Sequence, residues 1–264
     1  MHSDRRTLGP AVRRFSQCKW GEFVKRKKVS ICCFADGLQD YPANTALVAI
    51  DVIRATTTAI TAMSMGRQCF LAPTLQAALE TASQLPNALL AGEIGGDMPV
   101  GFDITNSPAQ LAIRCDISRP LVLLSSTGTR LAHEIGHSDC AYLACFRNYS
   151  ATIDCLAKNH DAVTVIGAGT RGEFREEDQM CCAWIADGLI ESGFDPADET
   201  TLELVERWHA APDDAFLASR SVAYLQKSGQ LHDLDFILSH FDDVADAAKV
   251  SADEVTPVDV PTEV

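Results

Sequence analysis

Ala46-Leu-Val-Ala-Ile-Asp-Val-Ile-Arg-Ala-Thr-Thr-Thr58 decides the fold class. Five apolar residues without polar alternation read as a strand covered on both faces. Asp51 and Arg54 then fall in the turn, and the threonines open an amphipathic helix over 56–65. The same alternation repeats along the chain. Strands are expected near 29–35, 46–52, 68–72, 87–93, 120–126, 139–145 and 161–167, with helices over 74–84, 107–114, 128–136, 149–159 and 177–192. Each helix starts beside a Thr, Ser, Asp or Asn that can cap it. The expected architecture is three-layer α/β/α with a mainly parallel or mixed sheet. After Gly193 the pattern reads as helices only, over 200–210, 213–228 and 230–240, a C-terminal helical extension serving as a cover or homodimer element. Residues 251–264 form an acidic stretch with Pro257 and Pro261, expected to be a disordered tail.

The bounds are those of a soluble enzyme. The 264 residues, 47% of them hydrophobic, suffice for one sizeable domain, placed at 29–250. A net charge of -14 argues against nucleic acid and against anionic membrane surfaces as partners. Residues 1–28 depart from this balance, with nine Arg or Lys against Asp4 and Glu22, and read as a flexible basic leader. The ten cysteines lie mostly among apolar neighbours with no Cys-x-x-Cys spacing, which points to buried thiols in a reducing cytoplasm.

Three turns carry the chemistry: Asp51–Thr58, Ser125-Ser-Thr-Gly-Thr-Arg130 and Gly167-Ala-Gly-Thr-Arg-Gly-Glu-Phe174. Hydroxyls, guanidinium forks and glycine-exposed backbone amides at strand ends make an oxyanion cradle. Carboxylates stand beside two of them, Asp51 at one and Glu173, Glu176, Glu177 and Asp178 at the other. Phosphate with a hard cation matches that mixture. The loop Gly92–Pro108 holds four glycines with Glu93, Asp97, Asp103, Asn106 and Ser107, the composition of a site or lid. In open α/β sheets, ligands bind outside the carboxyl ends of strands, where all these segments fall.

Asp51–Thr58, Gly92-Glu-Ile-Gly-Gly96, Gly101-Phe-Asp-Ile-Thr-Asn-Ser-Pro108, Thr127-Gly-Thr-Arg130, Arg147-Asn148 and Gly169-Thr-Arg-Gly-Glu-Phe174 with Glu177-Asp178 resemble, in the same order, the 2-phosphosulfolactate phosphatase family. The resemblance covers about residues 45–192. It implies a Mg²⁺-dependent phosphohydrolase known from coenzyme M biosynthesis, which releases phosphate and 3-sulfolactate from 2-phospho-3-sulfolactate. It makes Asp51, Arg54, Glu93 and Glu177 candidate catalytic residues. Asp51, Glu93, Asp103 and Asp178 become candidate Mg²⁺ ligands, since that ion takes one or two carboxylates plus waters. Arg54, Arg147 and Arg171 are the candidate forks for phosphate or sulfonate. Thr56, Thr57, Asn106, Ser107, Thr127, Gly128, Thr129, Asn148, Gly169 and Thr170 complete the expected substrate contacts.

Two alternatives concern individual residues. Asp51 faintly echoes the phosphorylated aspartate of haloacid-dehalogenase-type phosphatases, but Ile53 stands where those enzymes carry a second Asp, which favours a metal ligand over a nucleophile. His133-Glu-Ile-Gly-His137 matches the zinc metalloprotease signature H-E-x-x-H. Gly136 is expected to end that helix before His137, so the two rings need not share a face. A third reading, a non-catalytic receptor for phosphorylated or sulfonated metabolites, conflicts with several carboxylates beside an anionic ligand.

Overall fold

The computed structural model describes residues 26–34, 41–42, 44–170 and 172–258. Each expected strand before Gly193 is present, most of them trimmed at an end and β1 shifted towards the N-terminus: β1 Lys27–Cys33, β2 Ala46–Ile50, β3 Cys69–Ala72, β4 Leu89–Gly92, β5 Leu121–Leu124, β6 Ala141–Ala144 and β7 Ala162–Gly167. The helices between them are α1 Ala55–Ser64, α2 Leu75–Gln84, α3 Pro108–Ala112, α4 Gly128–Ile135, α5 Tyr149–Asn159 and α6 Glu176–Glu191. Local chemistry sets several starts. The Thr74 side chain accepts from the Ala77 amide to cap α2, and Ser107 accepts from Gln110 to cap α3.

The ten-stranded sheet has the order β4-β5-β3-β10-β9-β6-β2-β7-β1-β8, with helices on both faces. Two parallel blocks, β4-β5-β3 and β6-β2-β7-β1-β8, are joined by the antiparallel pair β9 Ala248–Ser251 and β10 Glu254–Pro257. Three successive antiparallel pairings reverse strand direction between the blocks. Both blocks nevertheless share one core. Ala49 of β2, Ile60 of α1, Leu71 of β3, Leu123 of β5, Leu131 of α4 and Val250 of β9 are buried in a single cluster. The blocks therefore close around α1 and α4, and the amino-terminal ends of these two helices meet. A second cluster packs α5 and α6 on the outer face of β1, β2 and β7.

The C-terminal region departs from expectation. Phe194–Pro196 is a strand, β8, paired with β1. The expected helix over 213–228 begins only at Arg220, where Ser219 accepts from the Val222 amide; the resulting helices are α7 Glu199–Trp208, α8 Arg220–Lys227 and α9 Leu231–Leu238. The acidic stretch is not a tail up to Pro257, because β9 and β10 insert it into the centre of the sheet. Acidic composition hid a short strand in which Val255 is buried, and Ala252 and Asp253, with φ of 47° and 67°, form the two-residue turn that the hairpin needs. Lys27 and Lys28, counted with the leader, belong to β1. The leader up to residue 25, Arg171 and residues 259–264 lie outside the described residues. Among the described residues, no helix is long and apolar enough to cross a membrane.

Candidate active site

Asp51 is the first residue after β2 and is 8% exposed. Its Oδ1 accepts from the Ala55 amide at the start of α1, at 3.3 Å. Its other oxygen lies so close to Gly128, the first residue of α4, that a Cβ there would stand 2.1 Å from Oδ2. Only glycine permits this approach. Thr56, Thr57 and Thr58, expected in part as substrate contacts, donate their hydroxyls to the carbonyls of Asp51, Val52 and Arg54 and so tie the turn to the helix. The Ile53–Arg54 peptide in this turn is cis.

Three buried carboxylates meet behind the turn. Burial pushes Asp51 up to about 7, against the Ala55 hydrogen bond, and Glu93 and Glu177 raise it further. Burial also raises Asp178 well above the ordinary carboxylate range, with Glu177 and Asp51 adding to it; this side chain accepts from the Val52 amide at 2.8 Å. Glu177 is raised by burial against hydrogen bonds from Ser221 and Ser219, and its Oε2 is buried without a hydrogen-bond partner among the described residues. Like charges held this close favour a bound proton or a cation.

The Asp51 carboxylate opens into a cleft of about 650 Å³. Four loops that follow β2, β4, β5 and β7 line it, through Asp51 and Arg54, Glu93 to Gly96, Ser126 and Thr127, and Thr170 and Glu173. Glu93 organises one wall by accepting from the Ser126 amide (2.6 Å), the Ser126 hydroxyl (2.9 Å) and the Gly96 amide (2.7 Å). Thr127 precedes α4 at its capping position and makes no side-chain capping bond. Asn106 also lines the cleft, and its Oδ1 is buried without a partner among the described residues. Arg54, 5% exposed, donates from Nη1 to Gln230 Oε1 at 2.5 Å and to Asp233, which is fully buried on α9.

Several expected site residues serve the framework instead. Arg147 is turned into a clamp, with Nε and Nη2 on the two Asp243 oxygens at 2.8 Å and Nη1 on Thr61. Arg147→Ala is accordingly expected to lower the melting temperature while changing KM less than twofold; a tenfold rise in KM would return it to the site. Asp103 accepts from the Leu90 amide and from Arg119, both at 3.0 Å, so it is a structural carboxylate and not a metal ligand. The Asn148 side chain accepts from the Cys145 amide, Thr129 exchanges hydrogen bonds with Ser125, and Ser107 donates to Asp233. Gly169 has a φ of 61° and lies against Cys33 and the Glu173 backbone.

Other cleft residues escaped the sequence reading. Arg175, Arg220, Ser221 and Tyr224 all line it. Arg220, Ser221 and Tyr224 come from α8, so the C-terminal helices form a wall of the site and not only a cover. Tyr224 donates to the Gly96 carbonyl at 2.7 Å, pinning the glycine loop, and a Cβ at Gly96 would meet its hydroxyl at 2.6 Å. Nothing in local sequence joins residue 96 to residue 224. Arg175 alone had a signal, since it follows the third turn directly.

The H-E-x-x-H segment takes another course. α4 stops at Ile135, Gly136 caps it, and His133 Nδ1 lies 2.7 Å from Asp253 Oδ1 in the β9–β10 turn. The His133 and His137 rings meet edge to face, with centroids 5.0 Å apart.

Fold and cleft together define an α/β protein whose cleft combines a buried carboxylate, arginines and a helix start. The model of the family described as 2-phosphosulpholactate phosphatase matches residues 33–246, and the chain belongs to this family. It is an enzyme, a phosphatase. A Deinococcus radiodurans protein named "probable 2-phosphosulfolactate phosphatase" is 31% identical over 84% of this chain and 89% of its own length. A Pseudothermotoga lettingae protein of the same name is 37% identical over 52% of this chain and 59% of its own. The "2-phosphosulfolactate phosphatase" of Methanothermobacter thermautotrophicus is 30% identical over 72% of this chain and 80% of its own.

Proposed function

We propose that this enzyme hydrolyses the phosphomonoester of a small phosphorylated 2-hydroxy acid, 2-phospho-3-sulfolactate, to 3-sulfolactate and inorganic phosphate, with Mg²⁺ as cofactor. The observation that carries the reading is the placement of Asp51, a raised buried carboxylate where the starts of α1 and α4 meet, open to a cleft that also holds Arg54. The family and the names of its members support the substrate.

The residues present fit a hard divalent cation. Among the described residues, no three His, Cys, Asp or Glu side chains form a protein-only metal cage. Mg²⁺ does not demand one, because it binds through one or two carboxylates together with waters and substrate phosphate. Asp51 and Glu93, which both line the cleft, would hold it, and the charge of Glu93 adds to the raised ionisation cost of Asp51. When bound, the ion would offset charge on the phosphoryl oxygens. The chain's own groups do the rest. Arg54, held by Asp233 and Gln230, presents a positioned guanidinium to the phosphate. Thr127 at the start of α4 adds a hydroxyl donor, and the helix end favours the anion. Glu177, raised by burial and bonded to the cleft residue Ser221, would take up the proton of the attacking water by way of that serine. Tyr224 and the glycine loop close over the site from the side of α8.

Phosphate release from 2-phosphosulfolactate should require Mg²⁺ and vanish on chelation, and Arg54→Ala should chiefly raise KM. If 2-phosphosulfolactate, phospholactate and an aryl phosphate all gave no phosphate with Mg²⁺, the receptor reading would replace this one.

A further inference from the structure

We infer that Arg175 and Arg220 form a second anion subsite in this cleft, one that holds the sulfonate or carboxylate at the non-reacting end of the substrate and that Glu173 fills with its own carboxylate. The inference rests on the phosphatase reading for the identity of the ligand. It starts from the distribution of charge. Arg54 is matched by the fully buried Asp233, while Asp51 and Glu93 line the cleft and Glu177 and Asp178 lie buried behind Asp51. A substrate with two anionic groups therefore needs positive charge elsewhere. Arg175 and Arg220 supply it.

They come from separate elements, Arg175 immediately before α6 and Arg220 at the first position of α8, yet both line the cleft and converge on one carboxylate. Arg175 Nη1 donates to Glu173 Oε2 at 2.7 Å, and Arg220 Nη1 donates to Oε1. Each carboxylate oxygen has its own arginine, an arrangement that a sulfonate or a carboxylate of a ligand reproduces with two of its oxygens. Arg175 Nε is buried without a hydrogen-bond partner among the described residues, so the site holds an unused donor as well.

Glu173 is suited to leave. Its backbone is fixed by two bonds with Thr170, at 2.8 and 3.1 Å, but its side chain is 43% exposed and that of Arg220 is 72% exposed. Ion pairs so open to water are weak. An arriving anion can therefore take over both arginines while the turn stays in place. The strong partner, Arg175, is 11% exposed and remains as the fixed half of the subsite.

The test compares kcat/KM for 2-phosphosulfolactate with that for p-nitrophenyl phosphate, which lacks a second anion, and measures 3-sulfolactate binding by calorimetry, which needs no turnover. Arg220→Ala is expected to lower the ratio of the two kcat/KM values at least tenfold and to weaken sulfolactate binding about as much; Arg220→Lys should recover part of both. Glu173→Gln should tighten sulfolactate binding severalfold by removing the competing charge. An unchanged ratio in Arg220→Ala, or sulfolactate binding equal to that of the wild type, overturns the subsite. If sulfolactate binds in an Arg220-dependent way but no phosphate is released from either ester, the subsite stands and the phosphatase reading of this substrate fails.

Discussion

Asp51→Asn is expected to lower kcat/KM by at least ~10³-fold, roughly 4 kcal/mol of barrier, and at the same time to make the metal-free protein more stable at pH 8. The first effect follows from its place between the starts of α1 and α4 and open to the cleft, where an amide binds a cation poorly and takes up no proton. The second follows from linkage. Burial moves this carboxyl from an ordinary 3.8 to about 7, so between those values the folded state holds a proton that the unfolded chain has released. Stability due to this group is therefore lost as pH rises through the window, and the loss is complete above about 7. The full span is worth roughly 4 kcal/mol as an upper bound, with 2 to 4 kcal/mol the expected range. Urea unfolding in EDTA should show Asp51→Asn more stable than wild type by a gap that is small at pH 5, about a third of its full size, and widens to the full value by pH 8. A variant that is less stable at pH 8, or one that retains activity within about threefold, would remove Asp51 from the reaction. Such exchange of stability for function is common where like charges are gathered for chemistry.

The largest loss of stability is expected at Asp233. This side chain is fully buried, pairs with Arg54, and accepts from the Ser107 hydroxyl at 2.5 Å and from the Ala109 amide at 3.2 Å. It therefore joins α9, the start of α3 and the cleft arginine in one network. Asp233→Ala leaves a guanidinium buried without its carboxylate, a change that costs about 3–5 kcal/mol. Replacing both partners by apolar residues removes the unpaired charge. Arg54→Met with Asp233→Leu should recover most of the denaturation midpoint and none of the activity. If the single substitution costs under ~1 kcal/mol, or if the double variant is no more stable than the single, the pair is not a buried unit. Asp233→Asn, with a similar shape and no charge, should raise KM through the loosened Arg54 even where the fold survives.

The legible part of this protein is the part governed by local pattern. Apolar runs such as Ala46–Ile50 and Leu121–Leu124 are continuous because both faces of the sheet are covered, and that continuity announces strand, layer and ligand edge together. Asp51, Arg54, Glu93, Thr127 and Thr170 stand just after such strands, and that position alone brings all five to the lining of the cleft. The same rule misassigned Arg147 and Asp103. Both also follow strands, but Asp243 and Arg119 engage them, and partners 96 and 16 residues away leave no mark on local sequence.

Residues 251–257 show the converse. The acidic composition of 251–264 suggests a tail, yet Val255 is buried and its strand pairs with β9 in the hairpin that joins the two parallel blocks. Whether such a strand finds a sheet to complete depends on edges that other parts of the chain create. Arg220, Tyr224 and Asp233 depend on the same condition, since helices α8 and α9 look alike in sequence whether they cover the protein or line its site. By itself, then, the sequence determined the α/β layering, the strand-end loops and the carboxylate and arginine chemistry, because periodicity and strand ends are properties of neighbouring residues. Tertiary structure alone decided which arginines face the cleft, which carboxylates are spent on the framework, and that the wall opposite Asp51 comes from the C-terminal helices, because charge pairing and burial are settled between residues that only folding brings together.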